Sequence, residues 1–183
     1  MNVIPFQYII DQIHSPEIRA FTIKCLEKAP PELNVIPASS TGKYHHRDTI
    51  GNGGLVVHIQ RACYFAKVLM DSMKWEAEDP RGDILLSSLL LHDIGKKEKY
   101  DTFFDYQKHA ERAANMIQEF GHMIPLKFFN IIHNCIFFHM GPWTNKPVRK
   151  PMEKYTVLEL LTYQCDYMSS RKDMDINNEA LSQ

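Results

Sequence analysis

Apolar residues recur at helical spacing along almost the whole chain, and no stretch shows the strict alternation of a half-buried strand. Ile9, Ile10 and Ile13 give a short amphipathic start. Ser15-Pro16-Glu17 supplies an N-cap, a proline at the first helical position and an acidic first turn, predicting a helix that ends before Pro30-Pro31. Residues 34–54, with Pro37, several glycines and small polar side chains, predict a long loop, and loops of this length are usually functional or mobile. A helix from about Leu55 to Lys74 follows, with His58 in its first turns.

Asp79-Pro80 caps the next helix, where Ile84, Leu85, Leu86, Leu89, Leu90 and Leu91 make a nearly all-round apolar surface. A helix that apolar belongs at the centre of a core. The pattern then predicts a polar helix over 105–120 carrying His109 and an apolar one over 125–139, stopped by Gly141-Pro142. After a proline-rich loop, the last helix covers 153–170 and carries Asp166; the polar tail from Arg171 should fray. The expected fold is an all-α bundle in one domain, with N-terminal helices over 5–29, a core of about 37–175 and a flexible tail of about 172–183.

With 183 residues the chain can bury one sizeable core and hardly two. Apolar residues make up 44% and charged residues 23%, ordinary values for a soluble globular protein. A formal net charge of −1 supplies no overall basic field, so long nucleic acid is not an expected partner. Cys25, Cys63, Cys135 and Cys165 are far apart, form no C-x-x-C pair and read as small apolar residues of a reducing compartment. No apolar run approaches the roughly 18 residues of a membrane span, and the N-terminus lacks the basic start of a signal peptide. The expectation is a cytoplasmic protein without a membrane partner, its oligomeric state open.

Chemistry enters with nine histidines, six positions of interest and their order: His58, then His92-Asp93, His109, His139 and Asp166, or H…HD…H…H…D. Imidazoles and carboxylates without a thiolate suit Mn²⁺, Fe²⁺, Co²⁺, Ni²⁺ or Zn²⁺, and suit Mg²⁺ poorly. Adjacent side chains on a helix diverge by about 100°, so His92 and Asp93 can serve one ion together only at a helix end. There, Asp93 can bridge two ions while His92 serves one.

This order resembles the HD superfamily of metal-dependent phosphohydrolases, in its six-ligand, two-metal branch. Gly53-Gly54-Leu55-Val56-Val57-His58 resembles the family's G-G-L-x-x-H start, and Leu91-His92-Asp93-Ile94-Gly95-Lys96 its HD-x-x-K element. His139-Met140-Gly141 resembles the H-H-G of several phosphodiesterase branches; Met140 in place of the second His argues against a three-metal site. The proline loop from Gly141 is similar to one in the HD domain of certain bacterial 3′-5′ exoribonucleases. The resemblance implies a helical HD domain with a metal site in a central cleft. One metal would take His58, His92, Asp93 and Asp166; the second would take Asp93, His109 and His139. Two ions about 3.5–4 Å apart would activate a bridging water and neutralise a phosphoryl group under in-line attack. The matching lysine, Lys96, would contact substrate phosphate, and His45 and His46, in a G-K-x-H-like stretch from Ser40, would line the cleft.

Each of these has a plainer alternative. His133 competes with His139, six positions away and about 240° round the helix, so both cannot face one ion. Lys96, three residues after Asp93, either turns towards the site or is a solvated member of Lys96-Lys97-Glu98-Lys99. His45 and His46 are either cleft residues or part of a polar loop, and His14 and His122 carry no assigned role. In residues 140–151, Trp143 can stack a base while Lys146 and Arg149 attract phosphate, or the segment is a structural turn with Trp143 packed inward. Arg171, just beyond Asp166, and Arg61, three positions after His58, are further candidate cations at the cleft mouth.

The expected function is divalent-metal-dependent hydrolysis of a nucleotide or short oligonucleotide phosphate ester, with Asp93 and Lys96 at the chemistry. A di-iron oxygenase of the myo-inositol oxygenase type, which uses the same six ligands, and a non-catalytic metal- or nucleotide-binding module are the alternatives. The basic loop and nearby lysines favour phosphate.

Overall fold

The structure is a computed structural model that describes residues 3–39 and 42–176. It is all-helical, with no strand among the described residues. In chain order, the α-helices are α1 (Gln7–Ile10), α2 (Pro16–Lys28), α3 (Gly54–Ser72), α4 (Pro80–Leu91), α5 (Phe103–Gln107), α6 (His109–Met116), α7 (Leu126–Phe138) and α8 (Val157–Ser169). Short 3-10 turns fill much of the connections. None of the described helices is long and apolar enough to cross a membrane.

Helix α4 is the axis of the molecule. Every residue from Gly82 to Leu91 is buried, and α2, α3, α7 and α8 pack around it. Its few polar groups are satisfied locally: Thr22 and Ser87 hydroxyls meet at 2.7 Å, and the Ser88 hydroxyl donates to the Ile84 carbonyl. Asp79 caps its start by accepting from the Arg81 amide, as the Asp-Pro pair predicts. Its end matters more: the helix stops at Leu91, and His92–Gly95 form a turn in its place. Lys96 is therefore not one helical turn beyond Asp93, as the spacing suggested. Its amide bonds to the Asp93 carbonyl at 3.0 Å in that turn, which returns the side chain to the site by another route.

Three helix boundaries differ from the periodicity reading. The expected helix over 105–120 is two, because Thr102 caps α5 early, accepting from the Asp105 amide, and the chain flattens at Lys108 before α6 begins. The end of that segment is a 3-10 run, Ile117–Met123. Helix α8 starts at Val157 rather than near 153, because Thr156 and Glu159 form a reciprocal capping box.

Beyond α8 the described tail is tied down: Arg61 donates to the Met174 carbonyl, and His46 Nε2 lies 2.8 Å from Asp175. The remainder of the expected fraying tail, 177–183, and Ser40-Thr41 at the head of the histidine loop lie outside the described residues. All four cysteines are free and buried.

Candidate metal centre

Five elements deliver the six donors, and two close backbone approaches set their positions. Gly53 has φ +75 and starts α3 in the left-handed region, where an L side chain is strained. A Cβ on Gly54 would lie 2.2 Å from the Thr49 carbonyl oxygen, so the Gly-Gly pair lets the loop close over the start of the helix that carries His58. The second approach is at Gly95, where a Cβ would lie 2.4 Å from the His109 carbonyl oxygen and 2.6 Å from the Ala113 nitrogen. Gly95 thus lets α6 press against the HD turn and brings His109 beside Asp93.

Each histidine presents Nε2 inwards, because its Nδ1 is engaged behind it. The Nδ1–H of His92 donates to the Leu89 carbonyl (2.6 Å), that of His109 to Tyr106 (2.7 Å) and that of His139 to Ile136 (2.7 Å). In each case the acceptor is three residues earlier. His58 uses a side chain: the Ser169 hydroxyl donates to the Asp166 carbonyl (2.7 Å) and so accepts from His58 Nδ1–H (2.9 Å). A partner on one nitrogen fixes the tautomer and the lone pair of the other, the usual arrangement behind a metal-ligating imidazole. Ser169 was not singled out from the sequence, although it lies three positions after Asp166 on the same helix. Ser169→Ala should weaken metal affinity about 10- to 100-fold in a chelator-competition titration while the thermal melt of the metal-free protein barely moves. Unchanged affinity would assign the His58 orientation to packing alone.

The donors fall into two groups, each with its ligand atoms within 4.8 Å of one another: His58, His92, Asp93 and Asp166, and Asp93, His109 and His139. Asp93 belongs to both, with one oxygen in each. Its Oδ2 lies 3.3 Å from His58 and 3.3 Å from His92. Its Oδ1 lies 3.2 Å from His109 and 3.6 Å from His139. Asp166 Oδ1 completes the first group, 3.0 Å from His58 and 3.6 Å from His92. His133, the rival to His139, stacks on Phe137 and packs at a tilt against Phe129 instead.

These separations fit a metal. Donors held about 2.1 Å from one ion lie about 3.0–3.4 Å from each other in octahedral or tetrahedral arrangements. Both Asp93 oxygens are buried without a directed hydrogen bond, and only the Lys96 ammonium, 2.7 Å from Oδ2, offsets their charge, so a cation among the imidazoles would relieve an expensive state. The facing nitrogens tell the same story: Nε2 of His58 and His92 approach to 3.3 Å, and those of His109 and His139 to 3.1 Å.

The charges match. Burial pushes the Asp93 carboxyl up, but the positive charges of His92 and Lys96, with the His109 and His139 rings close by, outweigh it and hold it well below the carboxylate range. Asp166 is likewise driven up by burial and further down by His58 and His92. Burial alone would lower His92, yet Asp93 and Asp166 lift it to about 10. His109, dominated by burial, falls to about 4. Two carboxylates are thus balanced by a proton on His92 and by Lys96, whose Nζ lies 2.7 Å from Asp93 Oδ2. A divalent ion would displace that proton.

A family model described as HD domain matches residues 55–171. The chain belongs to the HD domain family. That family is one of metal-dependent phosphohydrolases. No curated protein and no solved structure matches the chain.

In this HD domain Asp93, His109, His139 and Asp166 of the candidate metal centre line a cleft of about 750 Å³. Lys96, His45, Trp143 and Arg171 line it. Lys96 is steadied by the Ala38 carbonyl at 3.1 Å. His45 lies near His58, ring centroids 6.1 Å apart, and burial, with His58 and Lys96 beside it, lowers its pKa to about 3. Trp143 is 48% exposed and is not packed inward; it stacks on Tyr167.

Four expected substrate contacts lie elsewhere. Arg61 is 0% exposed and donates to the Ser169 and Met174 carbonyls, because the unsatisfied carbonyls at the end of α8 draw a guanidinium. His46 is buried, spent on Asp175 and on accepting from the Asp48 amide. Arg149 folds back onto the Thr144 carbonyl of its own loop. Lys146 is exposed on the turn Lys146–Val148, outside the cleft lining. Unforeseen in the sequence are five cleft tyrosines, Tyr44, Tyr100, Tyr106, Tyr163 and Tyr167. The only signal was local: Tyr163 and Tyr167 bracket Asp166 on one helix.

Proposed function

We propose that this HD domain is a divalent-metal-dependent phosphohydrolase or phosphodiesterase that cleaves the phosphate ester of a nucleotide or short oligonucleotide. His58, His92, Asp93 and Asp166 would hold one ion and Asp93, His109 and His139 the other, with Mn, Fe, Co, Ni or Zn as candidates. The supporting observation is the division of Asp93, whose two buried oxygens face two separate groups of imidazoles. When bound, such a pair supplies an activated water and neutralises charge on a phosphoryl group under in-line attack.

The chain's own side chains do the rest. Lys96 keeps a positive charge beside Asp93, where burial opposes it and the Asp93 charge overcomes the burial, and it screens the incoming phosphate. The half-exposed Trp143 offers a flat face to a base. A cleft of about 750 Å³ suits a small substrate better than a long strand. The proline loop after His139, similar to that of 3′-5′ exoribonuclease HD domains, supports a nucleotide in particular.

Elemental analysis of the purified protein should return about two transition-metal ions per chain. A nucleotide panel run with Mn²⁺, Co²⁺, Ni²⁺ and Fe²⁺ should show hydrolysis that is lost on chelation. Strict oxygen dependence of turnover, with oxygen uptake by the iron-loaded protein, would reject the hydrolase.

A further inference from the structure

The cations of the cleft are not equivalent. Lys96 is paired with Asp93 at 2.7 Å and Lys97 with Asp105 at 3.5 Å. Arg171 has no carboxylate partner among the described residues, yet it is held in place. Its guanidinium lies 4.3 Å over the Tyr167 ring and 5.6 Å from the centroid of Tyr44. Its Nε and one terminal nitrogen donate to the single Ser170 hydroxyl, at 3.2 and 2.9 Å.

A guanidinium has five N–H donors in a fixed plane, and one hydroxyl cannot use them all. The plane is set by two aromatic faces, so the remaining donors are pre-organised to receive an oxyanion bidentately. The position also fits. Arg171 lies two residues beyond the end of α8, the helix that carries Asp166, and both residues line the same cleft. Trp143 stacks on the same Tyr167, ring centroids 6.1 Å apart at 21°, so an aromatic wall runs beside the cation.

We propose that Arg171 is a second anion subsite of the cleft, so that the preferred substrate carries two phosphates, one at the metal centre and one at Arg171. A nucleoside bisphosphate and a 5′-phosphorylated dinucleotide both have this chemistry. The proposal rests on the phosphohydrolase reading for the role of the first phosphate and goes beyond it in naming a second.

The test compares kcat/KM for adenosine 3′,5′-bisphosphate and for 5′-phosphorylated diadenosine with that for adenosine 5′-monophosphate, in Mn²⁺. Wild-type protein should prefer a two-phosphate substrate by about tenfold or more, the effect of a charge-assisted bidentate contact. Arg171→Ala should collapse that ratio towards one, and Arg171→Lys, which keeps the charge without the plane, should restore only part of it. Whichever of the two substrates shows the larger collapse identifies the natural arrangement of the phosphates. No preference in the wild type, or a preference that survives in Arg171→Ala, overturns the subsite. If the wild type cleaves no phosphate ester, the hydrolase reading fails separately, and tryptophan fluorescence then decides. Tighter binding of the bisphosphate than of the monophosphate, lost in Arg171→Ala, keeps the subsite; equal affinities remove it.

Discussion

Asp93→Asn will abolish turnover, by at least about a thousandfold with every metal tried, which is the scale of losing a principal electrostatic group at a reacting centre. The substitution keeps the shape and removes the charge. Both halves of the centre depend on that charge: Oδ2 faces His58 and His92, and Oδ1 faces His109 and His139. Metal content should therefore fall in both positions at once, from about two ions per chain to less than one. His139→Ala is the control, because it touches only the second group and should spare the first ion. The variant also strands Lys96, whose side chain is largely buried and whose nearest counter-charge is Asp93, so a loss of a few kcal/mol in the metal-free protein is expected. Elemental analysis beside circular dichroism separates the outcomes. A folded Asp93→Asn protein that still carries two ions would show that the carboxylate is not shared.

Gly95→Ala should be nearly as damaging for a different reason. The added Cβ would lie 2.4 Å from the His109 carbonyl oxygen and 2.6 Å from the Ala113 nitrogen, both backbone atoms that cannot rotate away. Helix α6 must then move outwards and take His109 with it. Overpacking of this kind costs about 1–3 kcal/mol, and a displacement of about 1 Å at a reacting group can cost a hundredfold in rate. The expected result is a lower melting temperature together with selective loss of the ion at His109 and His139. Normal stability and full metal content in this variant would show that α6 tolerates the shift.

Much of this molecule could be read from its residues, and the parts that could not share a cause. The apolar circumference of α4 and the order of the six donors are local or ordinal properties, visible along the chain. The position of Arg61 is not. Three residues after His58 suggests the same face, but a long side chain goes where carbonyls are unsatisfied, and those lie at the end of α8, more than a hundred positions on. His46 is a similar case, its partner Asp175 being 129 residues away. The break at Lys108 was hidden because the polar pattern runs through it; only the cap at Thr102 hints that two helices share the segment. Tyrosine has no spacing that separates a cleft wall from a core, so the aromatic side of the site emerged only from the assembled helices.

The serine behind His58 has a consequence for how the protein matures. Ser169 is 111 residues from the imidazole it orients, and α3 and α8 must already be docked before that contact exists. Local helices form quickly, whereas contacts between distant segments wait for the chain to close. The proposed ions would therefore enter a newly synthesised molecule last, into a finished receptacle rather than a scaffold nucleated on metal. Scarcity of metal during synthesis should yield intact, inactive protein that later loading can rescue.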